Sequence, residues 1–304
     1  MASKYETKLN LDDRNSSHAL IIELLGLDKR VLDVGCATGN LAEVLAGRGC
    51  RVTGIEIDPE AARQAENHCE RVIVGDVESL DLDAELDEES FDVIVFGDVL
   101  EHLKNPLQTL RRFKPFLHTE GYVIASIPNI AHGSVRLALM QGRFRYRSLG
   151  LLDDTHLRFF TRETVEQLFK DAGFLIAELR HTTRGMFDTE IEIDREQLPS
   201  EVLRLVEEDP EAWTYQFVLS AYRFGEAGML AQNVRLLSEQ LTKRDRMIYE
   251  LNRKLRNFEE LQRQLDDRTE QLAEREREVA RLAQEVAERN DRMARLVQFG
   301  KEDP

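Results

Sequence analysis

The run Val31-Leu-Asp-Val-Gly-Cys-Ala-Thr-Gly-Asn-Leu41 constrains the fold more than any other stretch of the chain. Apolar residues lead into Gly35 and Gly39, and helical spacing follows at Leu41, Val44 and Leu45. That order describes a buried strand, a tight glycine turn and a helix N-terminus. Glycines in such a turn let the backbone approach a ligand with no Cβ in the way. A Gly-x-x-x-Gly spacing alone is weak evidence, because strand–glycine–helix turns occur throughout doubly wound folds. The sequel is more specific. Val52-Thr-Gly-Ile-Glu-Ile57 reads as a second strand with an acid, Glu56, at its tip, in the position that meets ribose hydroxyls. Val72-Ile-Val-Gly-Asp76 reads as a third strand ending in an acid. Phe91-Asp-Val-Ile-Val-Phe-Gly-Asp98 reads as a fourth, with Gly97 at its end. The Gly-x-Gly-x-x-Gly spacing that cradles a dinucleotide pyrophosphate is absent.

The alternation continues past these strands. An amphipathic helix is expected over 15–27, helices over 39–47, 59–68 and 104–117, and strands over 121–127, 174–181 and 215–224. This predicts an α/β fold, a doubly wound, mostly parallel seven-stranded sheet with helices on both faces. From Gly228 the pattern changes to one heptad register running from Leu230 through Val234, Leu237, Leu241, Ile248, Leu251, Leu255, Phe258, Leu265, Leu272, Val279, Val286 and Met293 to Val297. No Pro or Gly interrupts it, and the seam predicts a self-associating coiled coil about 100 Å long. Its polar members, Arg244, Gln262, Thr269, Glu276 and Asn290, would set register or stoichiometry. The expected domains are thus 1–225 and 226–304.

Charge narrows the partners. The segment from Glu226 onward holds 16 Lys+Arg against 17 Asp+Glu, so residues 1–225 carry −15 of the net −16. A domain that acidic repels a polyanion at long range, which argues against nucleic acid as a substrate. Cys36, Cys50 and Cys69 have no paired spacing and suit reduced thiols in a cytoplasmic protein. No stretch is apolar enough to span a membrane, and the start, Met1-Ala-Ser-Lys-Tyr-Glu, has no apolar leader core.

The strand-end series resembles the class I S-adenosylmethionine-dependent methyltransferases over roughly residues 15–225. The resemblance implies S-adenosylmethionine as cofactor. Asp33, Gly35, Cys36 and Gly39 would lie at its methionine end, Glu56 at the ribose, Asp76 and Val77 at the adenine, and Gly97 beside it. Asp58 reads instead as the cap of the next helix. After strand four stands Asp98-Val-Leu-Glu101-His102. If a helical turn begins there, Asp98, Glu101 and His102 share one face at i, i+3 and i+4 and can bind a divalent cation.

Ser126-Ile-Pro-Asn129 and Leu151-Leu-Asp-Asp-Thr-His156-Leu-Arg-Phe-Phe-Thr-Arg162 follow downstream. Together with Glu101-His102 they resemble the metal-dependent methyltransferases of small-RNA 3′-terminal ribose, which implies Mg²⁺ or Mn²⁺ held by Asp98, Glu101, His102 and His156. Without a metal, His156 or His102 would take the proton as general base. The segment from His132 to Thr161 also resembles methyltransferases encoded with bacterial surface-glycan glycosyltransferases. That implies transfer to a sugar hydroxyl of a glycan or sugar-phosphate precursor, with a glycosyltransferase as a candidate partner. The alternatives are 2′-O-methylation of an RNA 3′ end, or a coiled-coil scaffold carrying an inactive fold. Arginines 136, 143, 145, 147, 158 and 162, interleaved with Phe144, Tyr146, Phe159 and Phe160, form a basic island suited to an anionic group. Asn129, His132, Arg136, Arg143 and Arg158 are the expected substrate residues. The role of 182–213 is not legible from the residues alone.

Overall fold

A computed structural model describes residues 13–299 of the chain. It divides into two compact units at Leu237/Ser238. In the first, the N-terminal helix α1 (Ser17–Leu25) precedes β1 (Arg30–Val34), α2 (Asn40–Ala46), β2 (Arg51–Glu56), α3 (Pro59–Ala65), β3 (Arg71–Val74), the short α4 (Leu82–Glu85) and β4 (Phe91–Gly97). There follow α5 (Pro106–Phe113), β5 (Leu117–Pro128), α6 (Gly133–Met140), α7 (Arg162–Asp171), β6 (Phe174–Thr183), α8 (Ser200–Glu207) and β7 (Thr214–Arg223). The helix α9 (Glu226–Phe299) completes the described chain.

The seven strands form one mixed sheet in the order β3-β2-β1-β4-β5-β7-β6. Strand β7 runs antiparallel between β5 and β6, and the β1–β5 pairings are parallel. The apolar runs seen in the sequence are what a sheet covered on both faces requires. Register pairs Val31 with Val93, Leu32 with Ile94 and Val34 with Phe96. Leu32, Val34, Ile94 and Phe96 then pack with Phe113, Phe116 and Phe169 on one face. Val31, Val93 and Val95 pack with Ile21, Leu25 and Leu45 on the other. Each fully buried side chain of this size contributes roughly 1.5–3 kcal/mol.

The strand order reverses between β1 and β4, so a crevice opens at their carboxyl ends, where open α/β sheets bind ligands. Arg112 of α5 steadies one wall. Its guanidinium donates to the carbonyls of Val77, Glu78 and Leu80, while the Glu78 carboxylate accepts from Lys104 N and Asn105 N. The connection between β6 and β7 is the other shaping element. Met186, Val206 and Ala212 close over Leu137 of α6, and Ile191 packs with Val135, Ala138, Leu151 and Leu152. Residues 184–213 thus form a cover over the irregular 129–160 stretch.

In the second unit the helix is continuous, and its apolar seam is solvent-exposed at every described apolar position from Leu241 to Met293. The Val297 side chain lies outside the described residues, as do the chain start and residues 300–304. Among the described residues, no helix is long and apolar enough to cross a membrane.

Candidate active site

The glycine turn sits at the crevice. After β1 the chain turns through Gly35 at φ +76°, Ala37 at +48° and Gly39 at +82°. A Cβ on Gly35 would stand 2.7 Å from Val99 Cγ2, and one on Gly39 would stand 2.9 Å from Ala65 Cα. Gly35 N and Cys36 N both donate to Ile55 O, at 2.8 and 3.1 Å. Glu56 at the tip of β2 accepts Ala37 N at 2.8 Å and Asp58 N at 2.9 Å. A carboxylate has about four lone-pair sites, so Glu56 keeps roughly two for a ligand. Thr38 Oγ1 is buried in this turn with no hydrogen-bond partner among the described residues. Asp33 lies beneath, with burial first and the Glu56 charge second pushing its carboxyl up to about 7. Cys36 is buried beside Cys69, and that contact and burial hold its thiol well above the ordinary range. Asp76 and Val77 are half-buried after β3, with Asp76 accepting Glu78 N at 2.9 Å. Gly97 ends β4, and Asp58 caps α3 as its sequence context predicts.

The second centre lies at the end of β4. Asp98 adopts φ +54°, and the chain then makes a single 3-10 turn over Leu100–His102. The expected α-helical face therefore does not form. Asp98 Oδ1 turns instead to Ser126 Oγ at 2.8 Å and Gln216 Nε2 at 2.9 Å. Asp98 is accordingly removed from the candidate ligand set. Glu101, His102 and His156 do come together, their ligand atoms all within 4.8 Å of one another. The cause is a backbone clamp in which Glu101 O accepts both Leu157 N and Arg158 N, at 2.8 and 2.9 Å.

Glu101 is 1% exposed, and neither of its carboxylate oxygens has a hydrogen-bond partner among the described residues. Burial, then the Asp98 charge, raises its carboxyl well above the usual range. His102 Nδ1 faces Thr155 O and Thr155 Oγ1 at 3.3 and 3.1 Å. His156 hydrogen-bonds the Leu151 backbone, and burial, then His102, lowers its imidazole. The Thr155 contacts orient the His102 ring, as outer partners orient histidine ligands. A buried, unpartnered carboxylate beside two imidazole rings fits a divalent cation.

Other expected substrate residues are structural. Asn129 is fully buried and donates to Thr214 O and Glu211 O while accepting Ala131 N. It clamps the end of β5 to the start of β7. His132 is also fully buried, where it caps α6 through Ser134 and faces Arg184 O at 3.1 Å. Arg136 is tied to Asp209 at 2.5 Å. Part of the basic island is likewise paired with acids the sequence left unassigned. Glu192 pairs Arg145 and Arg147, and Glu211 pairs Arg162. Arg143 is partly exposed and Arg158 exposed, the latter directly after the Glu101 clamp. Ser126, Gln216 and Thr38 escaped sequence reasoning, since Gln216 reaches Asp98 only through β7 pairing and a lone Thr or Ser carries no local signal.

The family model described as a methyltransferase domain matches residues 12–179. Among relatives, the ubiquinone biosynthesis O-methyltransferase of Psychrobacter arcticus is 29% identical over 168 residues, covering 53% of this chain and 64% of that protein. Its namesake from Glaesserella parasuis is 36% identical over 110 residues, covering 33% and 46%. The chain spans less than two thirds of the length of these two relatives. Two solved structures are similar in fold. A S-adenosylmethionine-dependent methyltransferase from Archaeoglobus fulgidus is 19% identical with a TM-score of 0.47, covering 69% of this chain and 96% of that one. The 1,6-didemethyltoxoflavin-N1-methyltransferase of Burkholderia thailandensis, bound to its substrate and S-adenosylhomocysteine, is 19% identical with a TM-score of 0.45, covering 69% and 77%. The relatives overturn the expected glycan sugar acceptor, because they are named for ubiquinone biosynthesis and share only the coarser O-methylation. The RNA-terminus alternative falls with it.

Asp33 makes stability depend on pH. Its folded value of about 7 exceeds the ordinary 3.8, so the folded state keeps a proton that the unfolded chain loses. That contribution is full below pH 3.8 and is lost as pH rises through about 7. Asp33→Asn should therefore gain about 3 kcal/mol relative to the parent between pH 5 and pH 8, read by urea unfolding. An equal difference at both pH values would contradict the burial account.

Proposed function

The chain belongs to the methyltransferase-domain family, and from that premise we propose that it methylates one of two adjacent hydroxyls on an aromatic acceptor. The enzyme is a S-adenosylmethionine-dependent methyltransferase. A reduced quinone ring carries hydroxyls, and the relatives' role in ubiquinone biosynthesis directs the acceptor class to such rings. The observation that carries the reading is the buried, unpartnered Glu101 carboxylate between His102 and His156.

S-adenosylmethionine, when bound, supplies a methyl group on a positively charged sulfur. The glycine turn Gly35–Gly39 and Asp33 would hold its methionine part, Glu56 its ribose hydroxyls and Asp76 with Val77 its adenine. The orphaned Thr38 hydroxyl supplies a further polar contact in the turn. Glu101, His102 and His156 would hold Mg²⁺ or Mn²⁺, whose charge lowers the pKa of a nearby hydroxyl. Without the cation, the lowered imidazole of His156 would be neutral near pH 7 and competent to accept the hydroxyl proton. Catalysis then rests on holding oxygen, methyl carbon and sulfur in line.

The test is transfer of methyl from S-adenosylmethionine to catechol. Chelation with EDTA should abolish turnover and Mn²⁺ restore it, and Glu101→Gln and His156→Ala should each lose about 100-fold. Catechol turnover indifferent to EDTA would remove the cation and leave an imidazole base.

The exposed seam of α9 supports self-association, since an apolar a/d row is stabilised by a second copy of itself. Light scattering of the full chain should return a multiple of 35.1 kDa, and Leu251→Asp with Leu265→Asp should reduce it. A single-chain mass for the parent would contradict this assignment.

A further inference from the structure

Arg147 is pinned beside the His156 segment by an isolated bridge to Asp153. Arg147 N donates to Leu152 O and Asp154 N to Arg147 O, both at 2.8 Å. Arg145 and Arg147 turn to Glu192, at 3.5 and 2.9 Å. Phe144 instead meets the rings of Tyr146 and Phe159. Ring centroids then step outward from the candidate metal centre. His102 to His156 is 4.8 Å, His156 to Phe159 6.3 Å, Phe159 to Phe144 6.1 Å and Phe144 to Tyr146 5.5 Å. Every step is edge-to-face, at interplanar angles between 70° and 89°. Phe159, Phe144 and Tyr146 are nonetheless 36%, 41% and 57% exposed. Three adjoining aromatic side chains left in water, continuous with a catalytic centre, are unspent binding surface.

We propose that Phe159, Phe144 and Tyr146 form the acceptor subsite, and that they take a flat apolar extension of the acceptor beyond its diol ring. This inference rests on the reading that Glu101, His102 and His156 receive the diol. The ion pairs with Glu192 matter to it, because they turn the arginines away and leave the rings as the chemistry offered to a ligand. An added flat ring would continue the herringbone packing, its edge against one face and its face against the next edge. The subsite selects for planarity and apolar area rather than for charge.

The experiment is calorimetric titration of the full chain, saturated with S-adenosylhomocysteine and Mn²⁺, with catechol, naphthalene-2,3-diol and cyclohexane-1,2-diol. Naphthalene-2,3-diol should bind about tenfold more tightly than catechol, and Phe144→Ala or Phe159→Ala should remove most of that advantage. Phe159→Leu, which keeps apolar bulk without a ring, should remove part of it. A naphthalene diol no tighter than catechol, or an advantage that survives both alanine variants, overturns the subsite. So does equal affinity for the cyclohexane diol. A second titration with 2-naphthol, which has no adjacent hydroxyl, separates the two assignments. If no diol binds but 2-naphthol binds and is weakened by Phe144→Ala, the diol reading fails and the aromatic subsite stands. If catechol binds, naphthalene-2,3-diol binds no more tightly and 2-naphthol does not bind, the subsite fails alone.

Discussion

A carboxylate that is taken out of water must be protonated, paired or bound to a cation, and Glu101 has no hydrogen-bond partner among the described residues. Its backbone bears as much of the architecture as its side chain. The Glu101 carbonyl receives two amides of the segment after His156, and this brings a histidine 55 residues away in sequence against the end of β4. The cover formed by 184–213 holds the same segment from outside, with Glu190 accepting Leu151 N at 2.6 Å and the Tyr215 hydroxyl at 3.0 Å. A fold that spends so many contacts on presenting one unpaired carboxylate beside two imidazoles has a use for its charge.

The sheet was legible in the sequence because its code is local. Apolar runs ending in Gly or an acid mark parallel strands, and Asp58 before Pro59 marks a helix cap. The crevice turn was legible for the same reason, since Gly35 and Gly39 follow β1, Glu56 ends β2 and Asp76 follows β3. The acceptor side was only half legible. The motif and the structure bring together the same Glu101, His102 and His156, whereas Asp98 shares their face only if an α-helical turn forms. One left-handed residue and a 3-10 turn swing its carboxylate to Ser126 and Gln216 instead.

The remaining misreadings share one cause. Asn129, His132 and Arg136 are polar residues in a segment without periodicity, and exposure at a pocket is the natural guess for such residues. Their partners, Thr214, Arg184 and Asp209, lie 52 to 85 residues away, in the β6–β7 connection or at its end. Without that cover the arginines read as an anion funnel. With it Arg136, Arg145, Arg147 and Arg162 are held in ion pairs, and the aromatic residues between them become a second exposed feature. Long-range pairing, not residue type, decides which of the two surfaces a ligand meets.

The most direct test of this account is a titration of Mn²⁺ into the full chain saturated with S-adenosylhomocysteine, followed by electron paramagnetic resonance. The account predicts one tightly bound ion per chain, lost in Glu101→Gln and His156→Ala and retained in Asp98→Asn. No bound Mn²⁺, or binding that survives Glu101→Gln, would contradict it.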